Sequence, residues 1–467
     1  MSLQAAGITA EYNPFHNGHL WQLQVLRQKL GDVPVIVCMS GCFVQRGEAA
    51  LCDPWTRAAM AVQAGADLVL RLPAWYSLRS ADYFAAGAVR TLAATGLVRT
   101  LVCGVEHAAA NSTPLLQEGA ASQEAAFPAA QAPNPETSLP VTAAWSLAKE
   151  TGQQVRTLLQ QGLSYGAAWE TAAAEHNMDA GWFTGANNIL ALAYQKAIIQ
   201  HELPLQMLTL PRQKIGHNDI RLRPQFSSAT AIRQALQDGV SPAALRDVMP
   251  EVALALLKNR LSKSGHSDSA RHATDENTNK NATKESHPGH TEAANEPTLF
   301  ARRETALTAL LAHLLARNGS QALYGHSSAS RDLCDRFHNA RNVLANGYTA
   351  FCQAVASKRD SLPAVRRLSL QLLLQQPRAF WTVAPEPSYL RVLAFNDRGR
   401  SLLKEMKQTA ALPVITKPGS EEQYKNTSLY PLLQTDAAAA DLFQLLNGNP
   451  GAYGTDFTTS PVYIRNH

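Results

Sequence analysis

The sequence predicts a doubly wound α/β domain with a parallel sheet, followed by a mainly α-helical C-terminal portion. Three observations carry this. In the first hundred residues, short apolar runs of strand length alternate with segments of helical period. The runs are apolar at nearly every position, as parallel strands covered on both faces must be. After residue 298 the pattern turns to helical periods and basic residues.

Taken in order, the strand-like runs are AAGITA (5–10), Val33–Met39, Asp67–Pro73 and Leu97–Gly104. The helical patterns between them are His19–Leu30, Pro54–Ala64 and Ala81–Ala94. Residues His107–Pro140 are rich in Ala, Pro, Ser and Gln, which predicts an irregular insertion. Helical patterns resume at Ala143–Gln161, Ser164–His176 and Asn187–Leu203, and LPLQMLTL reads as one more strand. SSATAIRQALQDG has the Ser/Thr-rich start and closing Gly of a capped helix. Ser262–Thr298 contains no Val, Ile, Leu, Met or aromatic residue, which predicts a disordered linker. Its four histidines are scattered among Ser, Asn and Lys, as solvated side chains would be. Beyond it, Leu299–Ala316 and most of Phe337–Gln376 are helical, ending in a mixed tail. The expected divisions are therefore 1–261, 262–298 and 299–467.

A chain of 467 residues has room for two or three domains. No apolar run reaches the roughly 18 residues that cross a membrane. The N-terminal MSLQAAGITA lacks the basic start and long apolar core of a signal peptide, which predicts a cytoplasmic protein with no membrane association. Cys38, Cys42, Cys52, Cys103, Cys334 and Cys352 show no CxxC pair, so they read as small buried hydrophobes rather than disulfides or metal ligands. Nothing predicts a stable protein partner. The net charge is +5, but residues 299–467 carry 19 Lys+Arg against 12 Asp+Glu. A basic C-terminal portion fits an acidic partner such as nucleic acid, and equally a solvated basic face.

The stretch EYNPFHNGHLWQ, Glu11–Gln22, occupies the loop after the first strand and runs straight into a helix. Ligands of open α/β sheets bind beyond the carboxyl ends of the strands, where strand order reverses. Free N–H groups and the dipole at a helix start attract phosphate there. The spacing His16-x-Gly18-His19 suits that place. Gly18 admits a close approach of backbone, and two imidazoles can donate to phosphate oxygens as charge develops. The chemistry this serves is attack on the α-phosphate of a nucleoside triphosphate. A structural reading of the same residues has His16 capping the turn and His19 packing in the helix.

SSATAIR (227–233) is similar to the second signature of the HIGH-type nucleotidyltransferase superfamily, a Rossmann-like fold. There Ser and Thr hydroxyls, helix-start amides and an Arg bind the triphosphate, which assigns Ser228, Thr230 and Arg233. The strings AEYNPFHNGHLWQL, MSGCFVQRGEAALCDPWTRAAMAVQAGADLVLRLP, SADYFAAGAV, NNILALAY, SATAIRQAL and YLRVLAFNDRGRSLL together resemble the tRNA(Met) cytidine acetate ligase family. The resemblance spans nearly the whole chain apart from 107–140 and 262–298. It implies a ligase that activates acetate with ATP and acetylates N4 of the wobble cytidine of elongator tRNA(Met), with Mg2+ expected beside the ATP.

Carried over by position, the ATP loop comprises Thr9, Ala10, Glu11, Tyr12, Asn13, Pro14, Phe15, His16, Asn17, Gly18, His19 and Leu20, with His16 and His19 as the catalytic pair. The resemblance adds Gly104, Asn187 and the pair Lys214-Ile215 as nucleotide contacts. Departures from the family pattern are Cys42, Cys103 and Val105, together with Lys214 where an Arg stands and Ala364 in place of another. Arg46 and Glu48, after the second strand, reach the same cleft, either touching acetate or RNA or tethering the loop by an ion pair. Lys358, Arg359, Arg366 and Arg367 form a candidate tRNA surface, three of them about two turns apart on an expected helix. Alternatively Arg366 and Arg367 cover the apolar stripe LSLQLLL with their stems. Two other functions stay open: a small-molecule adenylyltransferase, and an RNA-binding protein with a degraded ATP site.

Overall fold

The computed structural model describes residues 4–106, 139–161, 163, 165–176, 180–183, 185–212, 222–223, 225–263, 297–383 and 385–465. Its strands are β1 (Ala5–Ala10), β2 (Val35–Ser40), β3 (Phe43–Val44), β4 (Glu48–Ala49), β5 (Leu68–Leu72), β6 (Val98–Val105), β7 (Gln206–Pro211), β8 (Leu390–Phe395), β9 (Val414–Ile415) and β10 (Val462–Tyr463). The insertion and linker expected from composition lie outside the described residues, except at their edges. Leu139 and Pro140 already open the helix Leu139–Gln160, and Ser262 and Lys263 close the helix Glu251–Lys263.

β1, β2, β5, β6 and β7 form a parallel sheet in the order β5-β2-β1-β6-β7. The chain steps outward from β1 to β5 and then crosses to the other side of β1. The order therefore reverses between β1 and β6, where a crevice opens beyond the strand ends. Alternate side chains feed two cores. Ile36, Cys38, Leu68 and Leu70 face the helices Ala81–Ala93, Ala186–Gln200 and Tyr430–Leu446. Val35, Val37, Met39 and Val69 face Asn17–Leu30, Pro54–Gln63, Ala229–Gln237 and Glu251–Lys263. Burial on both faces is why these strands read as continuous apolar runs.

The sheet is not wholly parallel, and the C-terminal portion is not separate from it. β8 pairs antiparallel with β5, and β9 and β10 add to β8. The sequence places LRVLAF in a mixed tail, whereas the structure makes it the strand β8. It is buried on both sides, with Leu390 and Val392 in one core and Leu393 and Ala394 in the other. A six-residue apolar run cannot be told from a piece of buried helix by periodicity alone. Four of the C-terminal helices, Leu299–Arg317, Arg331–Asn339, Tyr348–Val355 and Leu362–Leu373, surround a third core around Phe337 and Phe351, whose rings meet edge to face at 4.7 Å.

Charged side chains stitch the two portions together inside the protein. Arg71 of β5 is buried against Asp436, at 2.9 Å, and against Asp456, while the Tyr389 hydroxyl donates to Asp436. Arg303, also buried, donates to Asn447 Oδ1 (2.9 Å) and to the carbonyls of Ala49 (3.1 Å) and Ala50 (2.8 Å). No helix among the described residues is long and apolar enough to cross a membrane.

Candidate active site

The loop between β1 and the helix Asn17–Leu30 is shaped by its own side chains. His16 is the N-cap: its Nδ1 accepts from Gly18 N at 3.0 Å. His19 completes a reciprocal cap, its Nδ1 accepting from His16 N at 3.2 Å. The two rings stack with centroids 3.8 Å apart. Because each Nδ1 accepts a backbone N–H, each ring is held in the tautomer that carries its proton on Nε2. The helix starts at Asn17, two residues before the sequence placed it, since histidine is not among the usual caps. The structural reading of the histidines is thus seen directly in the reciprocal cap, and the cap leaves an Nε2–H on each ring.

Gly18 serves this packing directly, because a Cβ there would lie 2.8 Å from His16 Cε1. Tyr12 adopts a left-handed backbone (φ 45°), which a bulky residue does at a cost of about 1–3 kcal/mol. Its ring, buried against Phe15 and His19 at 4.8 Å each, offsets that strain.

Two further helix starts border the same crevice. Ser228 caps Ala229–Gln237 by accepting from Ala231 N at 3.0 Å, and Gly185 precedes Ala186–Gln200. The crevice encloses a cavity of about 460 Å³, lined by the β1 loop, both helix starts, the end of β6 and the turn between β3 and β4. Of the expected nucleotide contacts, Thr9, Ala10, Glu11, Tyr12, Asn13, His16, Gly18, His19, Gly104, Asn187, Ser228, Thr230 and Arg233 line it. Pro14, Phe15, Asn17 and Leu20 do not. Asn17 instead donates to the carbonyls of Gln225 (2.9 Å) and Asp247 (3.0 Å), tying the helix start to the second signature. Lys214 and Ile215 lie outside the described residues. Asn187 is held by Glu106 (2.6 Å) and by Arg212 (3.1 Å).

The turn SGCFVQRGE is a hairpin pressed into the cavity rim. Arg46 lines the cavity, and Glu48 pairs with Arg366 and, at 3.5 Å, with Arg233. Arg233 in turn donates to Asn13 O at 2.7 Å. Gly47 (φ 72°) is required twice: by its left-handed backbone, and because a Cβ would meet Arg367 N at 2.5 Å. The four C-terminal basic residues do not share a face. Lys358 and Arg359 sit exposed in a bend ahead of the helix Leu362–Leu373, while Arg367 lines the cavity and donates to Gln45 O at 2.7 Å. Burial pushes the Arg367 guanidinium down to about 10, with Arg79 nearby acting the same way. Arg366 and Arg367 thus act as inward clamps rather than as covers for the apolar stripe.

Sequence reasoning missed two arginines. Arg57 is fully buried; it donates to Ser40 O (3.0 Å) and Cys52 O (3.1 Å), and also to the carbonyls of Glu11 and Gly41, so it locks the loops after β1 and β2 together. Nothing in its sequence context marks it. Arg212 directly follows β7 at the cavity wall, and the strand-end rule applied to β1 would have found it had it been applied to β7 as well.

The profile of the HIGH Nucleotidyl Transferase family matches residues 3–137 and 136–455. A tRNA(Met) cytidine acetate ligase of Syntrophomonas wolfei is 31% identical over 98% of this chain and 98% of its own. The chain belongs to the tRNA(Met) cytidine acetate ligase family. Its relative of that name in Latilactobacillus sakei is 32% identical over 89% of this chain and 88% of its own. Two crystal structures of Thermotoga maritima TmcAL, one apo and one bound with alpha-thio ATP, share the fold with TM-scores of 0.76 and 0.75. They are 24% and 23% identical to it and cover 99% of it. The chain carries Cys42, Cys103 and Val105 near the histidine pair of the loop. All three of these are buried: Cys103 packs at the end of β6, and Cys42 sits beside Phe43 in the core.

Proposed function

We propose that this chain activates acetate with ATP, forming acetyl-adenylate and pyrophosphate, and then transfers the acetyl group to N4 of the wobble cytidine of elongator tRNA(Met). The products are N4-acetylcytidine and AMP. The observation that carries the reading is the stacked histidine pair, with its protons on Nε2, at a helix start inside the cavity of a chain whose full-length relatives bear that name.

In the first half-reaction, an acetate oxygen attacks the α-phosphorus and pyrophosphate leaves. The Nε2–H groups of His16 and His19 and the amides at the starts of Asn17–Leu30 and Ala229–Gln237 face charge that grows on the phosphate oxygens. Thr230 and Arg233 of the second signature border the same space. A Mg2+ ion expected with the triphosphate would be a hard cation bound through oxygen, and the triphosphate itself supplies such oxygens. The ion would neutralise phosphate charge.

In the second half-reaction, the cytidine must reach the cavity from the RNA. Pro363 and Arg367 form part of the cavity wall, and the exposed Lys358 and Arg359 precede them by a few residues. RNA backbone held at that bend lies at the edge of the cavity. The test is to incubate the protein with ATP, labelled acetate and bulk tRNA, digest the tRNA and look for N4-acetylcytidine. Labelled cytidine in tRNA(Met) is expected. Adenylylation of a small acceptor, with no acetylated tRNA, would replace this reading.

A further inference from the structure

Resting on the function proposed above, we propose that Glu11 is the general base of the transfer step, taking the proton that cytidine N4 sheds as it attacks the acetyl carbon. The step balances. An N4–C bond forms, the acyl C–O bond to the adenylate phosphate breaks, AMP leaves with that electron pair, and the N4 proton goes to the Glu11 carboxylate.

The cavity narrows the choice of acceptor. Glu11 is the acidic side chain among the described residues that line it. His16 and His19 are not free bases, because their Nδ1 atoms accept backbone N–H groups, which leaves each ring's proton on Nε2. The Cys103 thiol is pushed up to about 12 by burial, and burial likewise raises the Tyr12 and Tyr194 hydroxyls. Arg46, Arg212, Arg233 and Arg367 are cations.

Glu11 is also aimed. It is the first residue beyond β1, and its Oε1 accepts from Gln45 N at 2.7 Å. Gln45 is itself fixed through its carbonyl by Arg367. One carboxylate oxygen is thus tied to the hairpin, as a base that must hold a fixed direction requires. Burial raises the Glu11 carboxyl above its ordinary value, against the Gln45 N–H and the charges of Arg46, Arg233 and Arg57. Tyr194 and Arg367 complete the titratable surroundings. A raised carboxylate is a stronger proton acceptor near neutral pH.

The test separates the half-reactions in the wild type, Glu11→Gln and Glu11→Asp. Acetate-dependent ATP–pyrophosphate exchange reads adenylate formation; single-turnover transfer from acetyl-adenylate to tRNA(Met) reads the second step. Gln keeps the acceptor for Gln45 N, and ATP binding with thermal melting checks the fold of each variant. Expected for Glu11→Gln is a transfer rate lower by about 10²–10⁴, a loss well beyond whatever loss of exchange follows from its place in the nucleotide loop. The wild-type transfer should fall as pH drops through a group above the ordinary carboxylate range. Glu11→Gln should lose that limb, and Glu11→Asp should restore part of the rate. The base assignment is overturned if exchange and transfer fall together, or if the acidic limb persists in Glu11→Gln. A wild type inactive in both assays would instead remove the function proposed above.

Discussion

The β1 loop and the hairpin between β3 and β4 border one cavity, yet they are built in opposite ways. The loop's histidine cap is made by neighbours: His16, Gly18 and His19 bond within three residues of one another, and Tyr12, Phe15 and His19 pack as a ring cluster, while Arg57, Arg233 and Asn17 tie the rest of the loop to more distant parts of the chain. The hairpin is held by residues more than 180 positions away. Arg366 and Arg233 grip Glu48, Arg367 grips Gln45 O, and Arg303 grips Ala49 O and Ala50 O. A group whose geometry is local can be recognised from a short string, whereas one clamped from a distance reads only as a turn. The basic surplus after residue 298 fits an acidic partner or a solvated face, and part of it serves neither: Arg303, Arg366, Arg367, Arg378 and Arg391 bond internal carbonyls and carboxylates.

The largest way to break the comparison is at the distant contacts. Arg71→Met leaves Asp436 and Asp456 buried without their cation, and stability should fall by about 3–5 kcal/mol, read from urea unfolding. A loss below about 1 kcal/mol would mean that the C-terminal portion is not fastened by this cluster.

The local loop should answer in rate rather than stability. His16→Ala or His19→Ala is expected to lower acetate-dependent AMP formation by about 10²–10³. Loss of the cap at His16 should cost only about 1 kcal/mol in the same unfolding experiment. If activity survives in both variants, the rings serve the helix alone.

A smaller effect separates inward from outward arginines. Lys358→Glu with Arg359→Glu, both exposed, should weaken tRNA binding and flatten the plot of log affinity against log salt by about 0.7–0.9 per lost phosphate contact. Acetate-dependent pyrophosphate exchange should continue. Unchanged tRNA affinity and salt slope would move the RNA surface elsewhere. The smallest expected effect is a coupling energy of about 0.5–1 kcal/mol between Glu48→Gln and Arg366→Ala in a double-mutant cycle, since both side chains remain partly exposed. Strict additivity would show that the hairpin does not depend on that pair.

By itself, the sequence determined the parallel core and the place of the histidine loop at the end of β1. Strands buried on both faces must be apolar throughout, and the helix Asn17–Leu30 must begin where β1 ends, so composition and period sufficed. The resemblance of SSATAIR to the second nucleotidyltransferase signature pointed to Ser228, Thr230 and Arg233, and Ser228 does cap the helix that this string opens. Tertiary structure alone decided that LRVLAF joins β5 as an antiparallel strand, that Arg57 locks two loops, and that Arg366 and Arg367 turn inward while Lys358 and Arg359 stay exposed. The physical reason is common to all three. A buried cation or a short apolar run is stable only with partners supplied by distant chain, and no local pattern of residues encodes which distant carbonyl or strand edge those partners will be.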